Sequence, residues 1–424
     1  MVSMAGLNKY IIEKVYAKDP VIAMLIEKET KKQNNTLDLI ASENVADEYV
    51  CAPLASAFTN KYSEGYLWKR YYPGNQFVDE VENIAINRAK KVYRLNDEWG
   101  VNVQPHSGSP ANIEAYFAVL ELGDTALGMK VNEGGHLSHG WPINITSKLW
   151  NFIQYGVDDE GFLNYDEVEM LAKKHNPKLI VAGYSAYSRD LDYKRFREIA
   201  DDAGALLMVD MAHIAGLVAA EVLSDPFEYA DMVTTTTHKT LRGPRGGMIF
   251  SKGEELSKKV NRSVFPGVQG GPHDNQTAAL AVCLEEASTP EFREYAQQTV
   301  KNSKRLCKQM IDYDYNVLTN GTDNHLFVMD FRGNDFTGLD IEKALAESGI
   351  YASRSTVPKD PQPPMRTSGL RIGTPNITTR GMKEEDMDGL ASLIDYTIRH
   401  KDDPAAKKYV LERVLDTCKQ FPVD

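Results

Sequence analysis

Between residues 178 and 252 the chain alternates short apolar runs with one strongly amphipathic stretch, which limits the possible folds more than any other feature. KLIVAGYS (residues 178–185) reads as a buried strand. Residues 192–203 set Tyr193, Phe196, Ile199, Ala200 and Ala203 on one side of a helix. Gly204 stops that helix, and ALLMVDMA (residues 205–212) is the next strand. DMVTTTT (231–237) and GMIFSK (247–252) add two more. Strand, helix, strand at this spacing predicts βαβ units, and so an α/β fold with a mostly parallel sheet covered by helices on both faces. Beyond residue 290 the texture changes to a long helical stretch (291–313), a strand (325–331), a helix (339–348), the strand-like RTSGLRIG and a last helix (384–400). The expected division is a helical arm over residues 1–33, a large domain over 34–290 and a smaller α+β domain over 291–424.

A chain of 424 residues, 42% hydrophobic and 25% charged, has enough apolar surface for such cores and is neither disordered nor fibrous. Its net charge of −12, with no basic stripe, argues against a nucleic-acid partner. Cys51, Cys283, Cys307 and Cys418 are scattered without a CxxC pair, so neither a disulfide framework nor a zinc knuckle is expected. The first twenty residues lack the pattern of a secretory signal. The most apolar stretch, 205–220, is too short to span a bilayer and is interrupted by Asp210 and His213. A cytoplasmic protein without a membrane partner is the expectation.

Three strings suggest a shared chemistry. In VNVQPHSGSPAN, Ser107, Gly108 and Ser109 precede Pro110, which is expected at the first helical position. A helix start of this kind offers free N–H groups and hydroxyls to a phosphate, and no GK[ST] follows that would suit a nucleoside triphosphate. In MVDMAHIAG, Asp210 and His213 fall at the end of a buried strand, where open α/β sheets bind ligands. A carboxylate there needs a cation or another partner. In TTTTHKT, Lys239 follows a strand and is placed to act as an amine nucleophile. Phosphate cradle, acid and amine together match what pyridoxal phosphate requires: a grip on its phosphate, a partner for its ring nitrogen and a Schiff-base lysine.

Other strings are more ambiguous. Glu133, His136 and His139 have a metal-like composition, but Gly134 and Gly135 disfavour a helix and HExxH is absent, so no metal is expected. Stacking on a flat cofactor is the rival use of His136. Arg371, among small residues in RTSGLRIGTP, suits a two-pronged grip on a carboxylate or else a surface ion pair. NKYSEGYLWKRYYPG is dense in aromatics, with Tyr62, Glu64, Tyr66, Tyr71 and Tyr72. That density means core or interface, or an acid set among rings to handle protons.

Taken in order, LIASEN, TNKYSEGY, KRYY, NVQPHSGSPAN, GGHLSHG, VTTTTHKTLRGPRGGMIF, FPGVQGGP, GTDNHL and TSGLRIGTPNITTRG resemble serine hydroxymethyltransferase across nearly the whole chain. The resemblance implies the fold-type I architecture of pyridoxal-phosphate enzymes, with a seven-stranded sheet. It also implies at least a homodimer with shared sites, possibly a tetramer, that interconverts serine and glycine with tetrahydrofolate as one-carbon acceptor. By motif, Lys239 is implied as the Schiff-base lysine with His238 beside it, Asp210 as the partner of the ring nitrogen and His136 as the stacking ring. His213 and Ser185 are implied near the phenolic oxygen, and Thr236 in proton movement. Ser107, Gly108 and Ser109 are implied to hold the phosphate, completed by Tyr62 and Gly271 of a second subunit. Arg371, Ser42 and a neighbouring Tyr72 are implied to bind the amino acid, and a neighbouring Glu64 to move the hydroxymethyl proton. Val131, Gly135, Leu137 and Ser355 are implied around the pterin.

The chain departs from the family pattern at several places. GYLWKRYYPGN stands where GYPGKRYYGG is usual, Ser355 replaces an asparagine that bonds the pterin, and Val131 replaces a leucine. The two pterin changes motivate a rival, a folate-independent aldolase or transaldolase on threonine-like or α-methylated serines. A non-catalytic phosphate-binding scaffold is the rival from another class.

Overall fold

In the computed structural model, which describes residues 4–363 and 365–423, seven strands form the central sheet. They are Trp99–Asn102 (β1), Thr125–Met129 (β2), Asn151–Tyr155 (β3), Leu179–Gly183 (β4), Leu206–Asp210 (β5), Met232–Thr236 (β6) and Gly247–Lys252 (β7). Their order is β1-β7-β6-β5-β4-β2-β3, and β7 alone runs against its neighbours. The α/β expectation is met. β4 and β6 are buried along their whole length, as strands covered on both faces should be.

The helix after β4 shows why the local sequence folds this way. Asp192 caps Tyr193–Ala203 by accepting from the Arg195 N–H, and Gly204 ends it at φ 66°. Its Phe196 and Ile199 pack on one face of the sheet with Val209, Val233 and Phe250. Ala111, Tyr116, Leu179, Val181, Met208 and Ile249 fill the other face. Burying each such Val, Leu, Ile or Phe contributes roughly 1.5–3 kcal/mol.

A separate apolar cluster gathers Leu306, Phe327, Met329, Ile341, Leu370, Ile372 and Ile394, and takes in Leu37 and Leu39 as well. Its antiparallel sheet contains Leu326–Asp330 (β8), Ser353–Ser355 (β9) and Gly369–Gly373 (β10), in the order β8-β10-β9. One helix was not expected: Pro404–Gln420 follows Glu384–Arg399, so the stretch at 384–400 is not the last. Its signal is in the sequence, since Asp403 caps the Ala405 N–H and Pro404 opens the first turn. The N-terminal stretch is two helices, Met4–Tyr16 and Pro20–Asn34, separated at the capping Asp19. Among the described residues no helix is long and apolar enough to cross a membrane.

Candidate active site

The parallel strands end on one side of the sheet, and the loops leaving them enclose a cleft of about 460 Å³. Ser107 is extended and stands just before the helix Gly108–Val119 without a side-chain capping bond, so Ser107, Gly108 and Ser109 line the cleft with a helix start. Pro110 falls at the third helical position rather than the first expected from the sequence. The missing N–H is harmless at either place, because the first-turn donors have no partner within the helix. Glycine is required at 108, since a Cβ there would lie 2.5 Å from the Thr236 methyl carbon. Thr236 itself, the last residue of β6, donates its hydroxyl to the Ala212 carbonyl at 3.2 Å.

Asp210 ends β5 inside the cleft. Among the described residues its direct partners are not lysines. Instead His139 Nε2 lies 2.9 Å from Oδ2, Asn112 Nδ2 donates to the same oxygen at 2.8 Å, and the Ala212 N–H donates to Oδ1. Burial alone would raise this carboxyl, but the His139 and Asn112 hydrogen bonds and the nearby imidazoles hold it well below the usual carboxylate range. His136 lines the cleft with Nδ1 2.7 Å from the Ser138 hydroxyl, and burial pushes it down to about 4. The His136, His139 and Asp210 ligand atoms lie within 4.8 Å of one another, and these hydrogen bonds already engage them.

Lys239 follows β6 and is nine-tenths buried. Burial lowers its ammonium to about 8, against the pull of Asp210 and assisted by the charges of Arg371 and Arg245. At pH 7 about a tenth of such an amine is unprotonated, far more than of an ordinary lysine, and that is the form that attacks a carbonyl. His238, its neighbour, has a buried Nδ1 with no partner, and burial holds the ring down at about 3. Arg371 comes from β10 in the other cluster, donates Nη1 to the Ser185 carbonyl at 2.6 Å and directs Nε to Ser353 Oγ at 3.3 Å. Burial lowers its guanidinium to about 10. Ser42, Ser185 and His213 complete the predicted lining, and Glu43, Tyr184 and Arg245 belong to it without having been foreseen.

Eight predicted residues are not in this cleft. Tyr62, Glu64, Tyr72 and Gly271 form a second cluster of the same chain. The Tyr62 and Tyr72 rings meet edge to face at 5.7 Å, a Cβ on Gly271 would sit 3.3 Å from the Tyr62 ring, and one on Gly270 3.0 Å from Glu64 Oε1. The short hairpin Gly65–Tyr66 and Lys69–Arg70 is anchored from below. Arg70 bonds Asp79 at 2.9 Å and Glu82 at 2.7 Å and donates to the Ser63 and Gly65 carbonyls. Trp68, where the usual motif has glycine, takes φ 61° and is held there by Asp79 accepting its N–H. The residues expected around a pterin also lie outside the cleft. Val131 and Ser355 come near each other through the long contact from Thr356 Oγ1 to the Val131 carbonyl, and Leu137 is half exposed. Gly135 is packed so tightly that a Cβ would meet the Met129 carbonyl.

The cleft fits a flat cofactor carrying a phosphate: a helix start for the anion, an imidazole for a face, a held carboxylate, a poised amine and an orphan imidazole nitrogen. The family model described as serine hydroxymethyltransferase matches residues 15–394, and its members are pyridoxal-phosphate enzymes that use folate. With that match and this sheet, the chain belongs to the serine hydroxymethyltransferase family and has its fold-type I architecture.

Proposed function

We propose that the chain catalyses reversible transfer of the serine hydroxymethyl group to tetrahydrofolate, giving glycine and 5,10-methylenetetrahydrofolate. The observation that carries this reading is the convergence of Lys239, Asp210 and Arg371 in one cleft of a chain from this family. Pyridoxal phosphate, when bound, supplies a ring that accepts the electron pair released as a bond to the substrate α-carbon breaks. Ser107, Gly108 and Ser109 would hold its phosphate, Lys239 would anchor it, and Asp210 would stand as partner to its ring nitrogen. His136 covers a face of the ring, and Thr236 and His238 hold the lysine's surroundings.

Arg371 and Ser42 would bind the substrate carboxylate and so orient the bond to the hydroxymethyl carbon for cleavage. Orientation of this kind is worth several kcal/mol of barrier. Glu64 and Tyr72 act from a second copy, Glu64 taking the proton of the serine hydroxyl, while Tyr62 and Gly271 of that copy close the phosphate site. The support is that these four cluster away from their own cleft, with Tyr62 and Tyr72 turned to solvent. Val131, Gly135, Leu137 and Ser355 border the pterin. A homodimer in the cytoplasm is the assembly this reading needs.

One observation favours the folate-independent aldolase. Ser355 turns its hydroxyl to the Thr356 carbonyl rather than outward, removing an amide that a pterin would use. Serine-to-glycine turnover with and without tetrahydrofolate decides between them. A strong dependence supports the transferase, and equal rates favour the aldolase.

A further inference from the structure

The loop that carries Ser42 into the cleft takes Asn44 elsewhere. Asn44 does not line the cleft, yet its side-chain amide makes four hydrogen bonds. Nδ2 donates to the Lys239 carbonyl at 2.9 Å and to the Tyr295 hydroxyl at 2.8 Å. Oδ1 accepts from the Val45 N–H at 2.9 Å and from the Thr379 hydroxyl at 2.7 Å. These partners fix which end of the amide is which. The Val45 N–H can only donate and the Lys239 carbonyl can only accept, so a turned amide would set donor against donor and acceptor against acceptor. Both N–H donors are engaged, and so is the oxygen, twice over.

The partners come from different parts of the molecule. The Lys239 peptide follows β6, and Tyr295 donates its own hydroxyl to the Thr240 carbonyl at 3.2 Å. One amide thereby addresses two successive carbonyls at the lysine, the second through a ring buried in the core beside the central sheet. Thr379 ends the short helix Pro375–Thr379, which leaves β10, the strand of Arg371. We infer that Asn44 is a positioning residue that holds the Lys239 peptide against the helix following Arg371, so that amine and guanidinium keep one spacing across the cleft. This rests on the roles proposed above for Lys239 and Arg371. An amide is required at 44, because a carboxylate of the same shape would press an acceptor oxygen against the Lys239 carbonyl.

Apoprotein tests the lysine half without any cofactor. Formaldehyde with cyanoborohydride methylates unprotonated amines, and peptide mass mapping gives the pH midpoint at which Lys239 reacts. Asn44→Ala leaves Asp210, Arg371 and Arg245, the charges acting on that amine, in place but frees its peptide and admits water. The midpoint should therefore rise, leaving roughly threefold fewer reactive Lys239 amines near pH 7.5. An unchanged midpoint in folded Asn44→Ala protein overturns the inference. The link to Arg371 is read in protein loaded with pyridoxal phosphate. Thr379→Val should raise the serine KM about fivefold while turnover falls less, and Thr379→Ser, which keeps the hydroxyl, should restore it. Unchanged serine saturation in Thr379→Val, or no restoration in Thr379→Ser, also overturns the inference. If Asn44→Ala does not fold, the Thr379 pair decides. Failure of wild-type protein to take up pyridoxal phosphate counts against the proposed function, while the apoprotein midpoint still decides the role of Asn44.

Discussion

Asp210 and Lys239 are exposed over less than a tenth of their surface, whereas on the hairpin side Tyr62 exposes 60% and Tyr71 72%. The two regions hold comparable chemistry, an acid near a ring-binding surface, in opposite states. Around Lys239 the polar atoms are mostly paired inside the chain: Asp210 by His139 and Asn112, Arg371 by the Ser185 carbonyl. On the hairpin the base is equally rigid, with Arg70 buried between Asp79 and Glu82, but the working tips reach away from the body. A single chain spends buried hydrogen bonds where pKa values have to be shifted. It leaves exposed the side chains that the proposed function assigns to a second copy.

The largest effect expected separates the cleft from everything else. Lys239→Ala should remove the visible absorbance of cofactor-treated protein and lower serine turnover at least ~10³-fold. A variant that keeps either would deny that this amine is the anchor. The second test joins the regions. Lys239→Ala and Glu64→Ala proteins, each nearly inactive, should recover about one quarter of wild-type activity after subunit exchange. Half of the dimers would be mixed, and one site in each would be intact. No recovery would break the two-chain account and return Glu64 to its own chain.

The third test falls between the regions. Glu114 is on the helix that starts at the phosphate cradle, acts on Tyr66 of the hairpin, and has both carboxyl oxygens buried without a partner. Burial raises its pKa from 4.5 to about 8. The folded state keeps this proton where the unfolded chain releases it, so stability falls as pH rises from about 4.5 to 8. Glu114→Gln should remove that slope and gain about 2–4 kcal/mol over wild type at pH 8.5 relative to pH 5, read from denaturant unfolding at the two values. Parallel curves would show that Glu114 finds a partner. The smallest effect concerns the rim. Ser355→Asn should tighten tetrahydrofolate saturation by about 1 kcal/mol, roughly fivefold, with serine saturation unchanged.

The central sheet was readable because its strands are short, apolar and separated by one well-capped helix; GMIFSK was placed to the residue as β7. Signals of that kind are local. The cleft residues found in advance, Asp210, Lys239 and Arg371, sit at strand ends or in strands with distinctive surroundings. What was missed is non-local. Asn112 meets Asp210 across 98 positions, and nothing in PAN marks an amide aimed at a carboxylate. His139 was visible in GGHLSHG but was weighed only as a metal ligand, while its partner is the same carboxylate. His325 in GTDNHL had no local sign of its 3.2 Å approach to His213. Pro404–Gln420 is the exception, because Asp403-Pro404 is an ordinary helix opening and its signal is local.

The contact of Arg371 with the Ser185 carbonyl has a thermodynamic meaning for turnover. A half-buried guanidinium with no acceptor would hold a carboxylate strongly and let it go slowly. Under the proposed function an incoming carboxylate would replace a backbone oxygen already 2.6 Å away, so one contact would be exchanged for another and the net gain would be small. A reversible catalyst profits from that arrangement, because the grip holding serine in place for bond breaking is the same grip that must release glycine.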